Sequence, residues 1–415
     1  MPPSASGIAD YAAEQLPLLR ERFDVTVVGA APAARPEADL DLYQLGNSPA
    51  HGYAYRAALE RPGVVLLHEW SLHHLVLSLT VECGDTGAYL RQMRRDHGER
   101  GTFLGRQVAR ALGGPLWPSL LPLNDRVLRG SLAVVALTRF VAERARPVLA
   151  PRPVLHVPHH LALPLSPWPS RREARRALGL PEEALLVTAP GLATVSKRLD
   201  VGLRAVLRLR RERPELRLVV AGDVDPELPL DAWAAHDPDA LVVAGRLALE
   251  DFLRHLIAAD LVLSLRFPSY GEISGGLVRS LGIGRVALVT AGTPATEEFP
   301  EGVVVPVDPD RSEEEELVAL LRVLLEDAAL RERIGARARA HALAHHDLRG
   351  CTTRLADFLA DVAGRREALA AEVHPEVEAE GLYAQLLDEV RFAAHDLGLA
   401  QLPPGVEEHL RSLAP

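Results

Sequence analysis

Lysine, cysteine and net positive charge are all scarce in this chain, and each scarcity excludes something. Cys83 and Cys351 are the only cysteines. They lie far apart and form neither a CxxC pair nor a disulfide framework, which fits a reducing, cytoplasmic setting. The formal charge is -10 and the pI near 5.9. Nucleic acid is therefore not expected as a partner, because a phosphate backbone demands a positive field, and any anionic ligand must be held by a local cluster. Long apolar runs are missing too. The most apolar stretch, Val64 to Leu79, is broken by His68, Glu69, His73 and His74, so no membrane span is expected. Met1 to Ser4 lacks the basic and apolar regions of a signal peptide.

The lysine count is the most informative scarcity. Of 46 basic residues, Lys197 is the one lysine and the rest are arginine. A position that stays lysine against such a bias calls for a compact ammonium, which a planar guanidinium does not replace.

What is present is the composition of a folded protein, 48% apolar and 25% charged over 415 residues, enough for two or three domains. Short aliphatic runs alternate with longer helical patterns, the sign of parallel sheets with crossover helices. In the first part, strands are expected at Asp24–Val28, Gly63–Leu67, Leu132–Leu137 and Val154–Val157, with helices at Ile8–Glu21 and Arg91–Leu112. A Pro-rich stretch from Pro158 to Pro169 reads as a linker. Beyond it, strands are expected at Ala184–Thr188, Leu216–Ala221, Ala240–Ala244, Asp260–Leu265, Val286–Thr290 and Val303–Val307. The expected organisation is an N-terminal α/β domain over 1–165, a second over 166–345, and a helical tail over 346–415. The first helix should be fed by a strand, yet only Met1 to Ser6 precede it. Either the chain begins further upstream or the first sheet lacks its first strand.

Two loops of the second half carry the densest chemistry. Pro190 to Arg198 follows a strand and opens a helix, and ligands of open α/β sheets sit beyond the carboxyl ends of strands, where helix N-termini favour anions. Lys197 and Arg198 would meet a diphosphate there. Arg266 to Gly276 is again a loop between strand and helix. Its small residues let backbone amides approach a phosphate, and Glu272 can accept from sugar hydroxyls. In the first half, His68 and Glu69 end a strand, and Asn47 and His51 follow another strand-like run. His73 and His74 lack the partners that would complete a ligand set, so no metal is expected. The run from Arg91 to Leu121, basic and then apolar, can lie on an anionic bilayer surface or pack as an ordinary helix.

Taken in order, Ser6-Gly7-Ile8-Ala9-Asp10-Tyr11, Leu67-His68-Glu69, Val157-Pro158-His159, Ser196-Lys197-Arg198-Leu199-Asp200 and Gly271-Glu272-Ile273-Ser274-Gly275 resemble the retaining glycosyltransferases of the GT-B fold, family 4. The resemblance covers about Pro2 to Asp361. It implies two Rossmann-like domains facing across a cleft and a nucleotide-diphosphate sugar as co-substrate, with no cofactor. It further implies that Gly7 lies beside the donor phosphates and acceptor, that His68 lies near the transferred sugar, that Lys197 neutralises the leaving diphosphate, and that Glu272 binds the donor sugar. The remaining donor-side candidates are Gly191, Arg198, Ser274, Gly275, Gly276 and Arg279; the acceptor-side candidates are Asn47, His51 and Glu69. The acceptor would be a sugar, a lipid-linked sugar or another small molecule, reached in the cytoplasm or at the inner face of a membrane. Two positions depart from the family pattern. Leu192 stands where an arginine is common, which leaves Arg198 to supply the second charge. No carboxylate stands at Arg279 or Ser280, where a ribose-binding glutamate is usual, so a sugar- or nucleotide-binding protein without turnover is one alternative to a transferase; another is an epimerase or phosphorylase of the same fold, which shares the phosphate site and differs in its acceptor.

Overall fold

The computed structural model describes residues 7–29, 36–165, 167–373 and 401–413, with Leu387, Val390, Arg391, Ala394 and Leu399. Residues 1–6, and with them the expectation about a feeding strand, lie outside the described residues, as does much of the tail beyond Val373.

Two parallel sheets form, one in each half. The first contains β1 (Leu42–Leu45), β2 (Val64–Leu67), β3 (Ala133–Ala136) and β4 (Val154–His156) in the order β1-β2-β3-β4. Val64, Leu66, Ala133 and Val135 enter one apolar cluster, while Val65, Leu67, Val134 and Ala136 enter another on the opposite face. Successive side chains of a strand point to opposite faces, so a sheet covered on both sides needs unbroken apolar runs such as Val64 to Leu67.

The second sheet contains β5 (Leu185–Pro190), β6 (Leu216–Ala221), β7 (Leu241–Val243), β8 (Leu261–Ser264), β9 (Val286–Thr290) and β10 (Val305–Val307). Their order is β10-β9-β8-β5-β6-β7, so the winding reverses between β5 and β8. Ligands of open α/β sheets bind at such a reversal, outside the carboxyl ends of the strands. The two loops that follow β5 and β8 are the two picked out from the sequence, and the sheet order makes them neighbours.

One apolar cluster runs through both halves, joining Tyr11, Leu66 and Val135 to Val262, Leu277 and Leu281. The helix Leu348–Gly364 closes it by returning to the first half. Cys351, Leu355 and Ala356 enter that cluster, and Arg349 pairs with Glu21 at 3.0 Å.

One strand expectation fails. Asp24–Val28 makes no ladder and is mostly exposed, with Val27 and Val28 at 41% and 37%. Strands of a sheet are held by neighbours on the ladder, and among the described residues no strand lies beside this segment. The helix expected over Arg91–Leu112 instead runs Thr86–Ala109, because the Asp85 carboxylate caps it by accepting from Ala88 N at 2.8 Å. It is interrupted at Gly98, where φ is 62°.

Candidate functional site

One part of the candidate site is built on the β5 loop. Gly191 takes φ of 75°, and its backbone lies against Gly222, where a Cβ would come 2.5 Å from Gly191 C. Glycine at 222 permits that approach, and glycine at 191 permits the left-handed φ. Ala193 N donates to Asp223 O at 2.7 Å and Asp225 N to Ala193 O at 2.9 Å, so the loop is stitched to the end of β6. The Lys197 ammonium folds back and donates to Pro190 O at 2.5 Å. Burial, reinforced by the nearby charge of Arg266, pulls its pKa down to about 7.

The β8 loop meets this one directly. Phe267 N donates to Ser196 O at 2.7 Å, and a Cβ on Gly276 would come 2.8 Å from Pro190 Cβ. Glu272 is turned inward, its side chain 12% exposed. Its Oε1 lies 2.9 Å from Arg266 Nε, and its Oε2 accepts from Tyr270 N at 2.6 Å and Ser269 Oγ at 3.3 Å. Ser274 caps the helix Gly275–Ile283 by accepting from Leu277 N at 3.3 Å. The amides of Gly275 and Gly276, in the first turn, have no intrahelical acceptor. Lys197, Arg266, Glu272 and this helix start thus converge at the reversal of the sheet.

The first half contributes uncharged and weakly charged groups. His68 Nε2 pairs with Gln44 Oε1 at 3.0 Å, and the ring stands edge-on to Tyr11 at 5.0 Å. Burial, then His51 and His160, pushes its pKa down to about 3, so the ring is neutral at physiological pH. His51 Nδ1 pairs with Gln44 O at 3.1 Å. Glu69 Oε1 accepts from Asn47 N at 2.6 Å, and Asn47 Oδ1 accepts from Leu75 N at 3.1 Å. Glu69 lies close enough to Glu272 to feel its charge. Burial and that like charge lift its pKa to about 8, against the Asn47 amide and Arg266.

Contacts between the halves hold these groups together. Trp70 N and Ser71 N both donate to Tyr270 O, at 2.7 and 3.0 Å, and Thr138 Oγ1 donates to Gly271 O at 3.2 Å. Buried Glu298 accepts from Arg139 N at 2.9 Å and faces His156 at 2.9 Å. Glu14 spans His160 at 2.7 Å and Arg279 at 2.6 Å.

Not every candidate joins the cluster. Arg198, at φ 55°, has its guanidinium taken by buried Glu313, with Nε 3.1 Å from Glu313 Oε2. The cation beside Lys197 is Arg266. Gly7 is exposed at the start of the helix Gly7–Arg20. His73 is satisfied by Leu121 O and Tyr89 and forms part of the core. In the 91–121 region Phe103, Leu112 and Leu120 are 62%, 66% and 71% exposed. No helix among the described residues is long and apolar enough to cross a membrane. Sequence reasoning passed over Arg266, although it heads the second loop, and Glu14, for which no local signal exists.

A family model described as glycosyl transferase-like matches residues 200–360. D-inositol 3-phosphate glycosyltransferase of Kineococcus radiotolerans is 33% identical over 207 residues, which cover 43% of this chain and 44% of that protein. The chain thus spans less than half the length of the curated relatives it matches first. Two solved structures share the fold. Sucrose-phosphate synthase of Thermosynechococcus elongatus superposes with a TM-score of 0.56 at 14% identity, over 78% of this chain and 74% of that one. Anabaena HepE in complex with UDP-glucose gives 0.55 at 17%, over 77% and 79%. The architecture is the GT-B fold, and its C-terminal half carries a glycosyl transferase-like sequence.

Proposed function

We propose that this chain is a glycosyltransferase that moves a sugar from a nucleotide-diphosphate donor onto an acceptor held between its halves, with retention of configuration at the anomeric carbon. The observation that carries the reading is the convergence of the solitary lysine and Glu272, supplied by separate loops, on one helix N-terminus at the reversal of the sheet. The relatives support it, being named glycosyltransferases, and HepE was solved with UDP-glucose.

As the glycosidic bond breaks, negative charge builds on the β-phosphate. Lys197, Arg266 and the first-turn amides stabilise it, an electrostatic effect of several kcal/mol in a dry site, so the proposed transfer needs no divalent metal. Glu272 holds sugar hydroxyls, and neutral His68 offers a ring nitrogen near the transferred sugar. Contacts such as Trp70 N to Tyr270 O bring the halves together and exclude water that would hydrolyse the donor. The acceptor is a sugar, a lipid-linked sugar or another small molecule. The exposed apolar residues of the 91–121 region would let the protein rest on the cytoplasmic face of a membrane that carries a lipid-linked one.

The test is a thermal-shift screen with UDP, GDP, ADP and TDP sugars, followed by product analysis with the stabilising donor and an acceptor panel. Lys197→Ala is expected to abolish transfer with the fold intact, and Glu272→Gln to weaken use of the sugar donor while binding of the bare nucleoside diphosphate persists. Normal turnover by the lysine variant would remove the assignment. The helix after Glu272, Gly275–Ile283, contains no carboxylate, and its Ser280 is buried and donates to Gly276 O, so binding without turnover would favour a carrier.

A further inference from the structure

The helix Gly275–Ile283 presents one more charged group at its start. Arg279 is 8% exposed, and its guanidinium curls back along the helix until Nη1 lies 3.1 Å from where a Cβ on Gly275 would stand. Its only protein acceptor among the described residues is Glu14 Oε1, 2.6 Å from Nη2, and its Nε is buried without a partner. A guanidinium offers five donors, and leaving them unpaired in the interior is costly unless a ligand takes them.

The surroundings leave this cation underused. Glu14 belongs to the opposite half and is shared, its second oxygen lying 2.7 Å from His160 Nε2. Burial works against its ionisation, but the His160 hydrogen bond and the Arg279 charge outweigh it and hold its carboxyl below the usual range. His159, whose Nε2 is 3.1 Å from the same Gly275 position, is kept neutral by burial and by His160. Among the described residues no second carboxylate pairs with Arg279. A side chain at Gly275 would fill the space between guanidinium, imidazole and helix start, and glycine leaves it open.

We propose that Arg279, paired with Glu14, is a phosphate-binding cation of this site that turns to the donor diphosphate when that ligand reaches the amides of Gly275 and Gly276. The inference rests on the donor-site reading above and gives a defined role to one of the two positions, Arg279 and Ser280, at which no carboxylate stands. Glu14 then acts as a positioning residue. It holds the guanidinium in place across the interface and competes with the phosphate for it, so that donor binding exchanges a contact between the halves for a contact to ligand.

The exchange is tested by titrating wild type, Arg279→Ala, Arg279→Lys and Glu14→Gln calorimetrically with inorganic pyrophosphate and with UDP, GDP, ADP and TDP, alongside the corresponding nucleosides. Loss of a charge-assisted contact is expected to weaken the best diphosphate about tenfold to a hundredfold in Arg279→Ala and less in Arg279→Lys, while nucleoside binding is unchanged. Glu14→Gln removes the competitor and is expected to tighten diphosphate binding severalfold. A purely structural ion pair would lower the melting temperature of both variants and leave the diphosphate affinity within twofold of wild type, which overturns the proposal. Should Arg279→Ala not fold, unchanged affinity in Arg279→Lys and Glu14→Gln has the same force. If wild type binds and Lys197→Ala does not, while the Arg279 and Glu14 variants bind normally, this inference alone falls. If wild type binds none of the panel, the donor-site reading falls with it.

Discussion

Lys197 links the proposed chemistry to pH in a way that can be measured. With its pKa pulled from 10.5 to about 7, this lysine is half neutral near pH 7 and about nine-tenths neutral at pH 8. A diphosphate beside it favours the ammonium, because an opposite charge at contact distance raises a lysine's pKa. Donor binding should therefore take up little proton at pH 6, about half a proton at pH 7 and close to one at pH 8. Apparent affinity should fall about tenfold per pH unit above 7 until the bound-state pKa is reached. Calorimetry of UDP or GDP in buffers of different ionisation enthalpy reads the proton count directly. Lys197→Arg, always charged, should show no such uptake. The same group predicts a stability trend. Its folded pKa lies below the unfolded one, so the unfolded chain binds the extra proton, and stability rises with pH between about 7 and 10 when no donor is added. Lys197→Met should raise the melting temperature below pH 7 and abolish binding. Proton uptake that is flat with pH, or that persists in Lys197→Met, would refute this account of the ammonium.

Two further predictions separate neighbouring roles. Arg198→Ala should leave buried Glu313 without its partner and destabilise the protein by about 1–3 kcal/mol in denaturant titration, with diphosphate affinity retained; a large loss of affinity would return Arg198 to the donor site. Glu69, with its pKa lifted to about 8, carries a proton in the folded state between about pH 4.5 and 8 that the unfolded chain has lost, so it stabilises least at the alkaline end of that window. Glu69→Gln should therefore raise the melting temperature at pH 8 and above while changing it little at pH 5, and an equal shift at both would show that burial and the like charge of Glu272 do not hold this carboxyl above its usual range.

How much of this was legible in the sequence differs residue by residue. Val64 to Leu67, Leu216 to Ala221 and Val286 to Thr290 announce themselves as buried strands because each is a mostly aliphatic run of the right length, and each lies in a parallel sheet. Asp24–Val28 has the same local pattern, but a strand also needs a neighbour, and none lies beside it among the described residues. Lys197 stood out because composition isolated it, and Glu272 because its loop has a recognisable spacing. Arg266 did not, since one arginine among many carries no local mark.

The sequence by itself determined two α/β halves and the loops that bear a lysine and a glutamate, because periodicity and turn chemistry are properties of short segments. Only the tertiary structure decided that β5 and β8 lie side by side, that Glu313 takes Arg198 and Arg266 joins Lys197, and that Glu14 reaches His160 and Arg279, 146 and 265 residues away. Those outcomes depend on strand order and on the packing of one half against the other. A charged side chain acts on whatever lies within a few ångströms of it, and local pattern says nothing of which distant residues those will be.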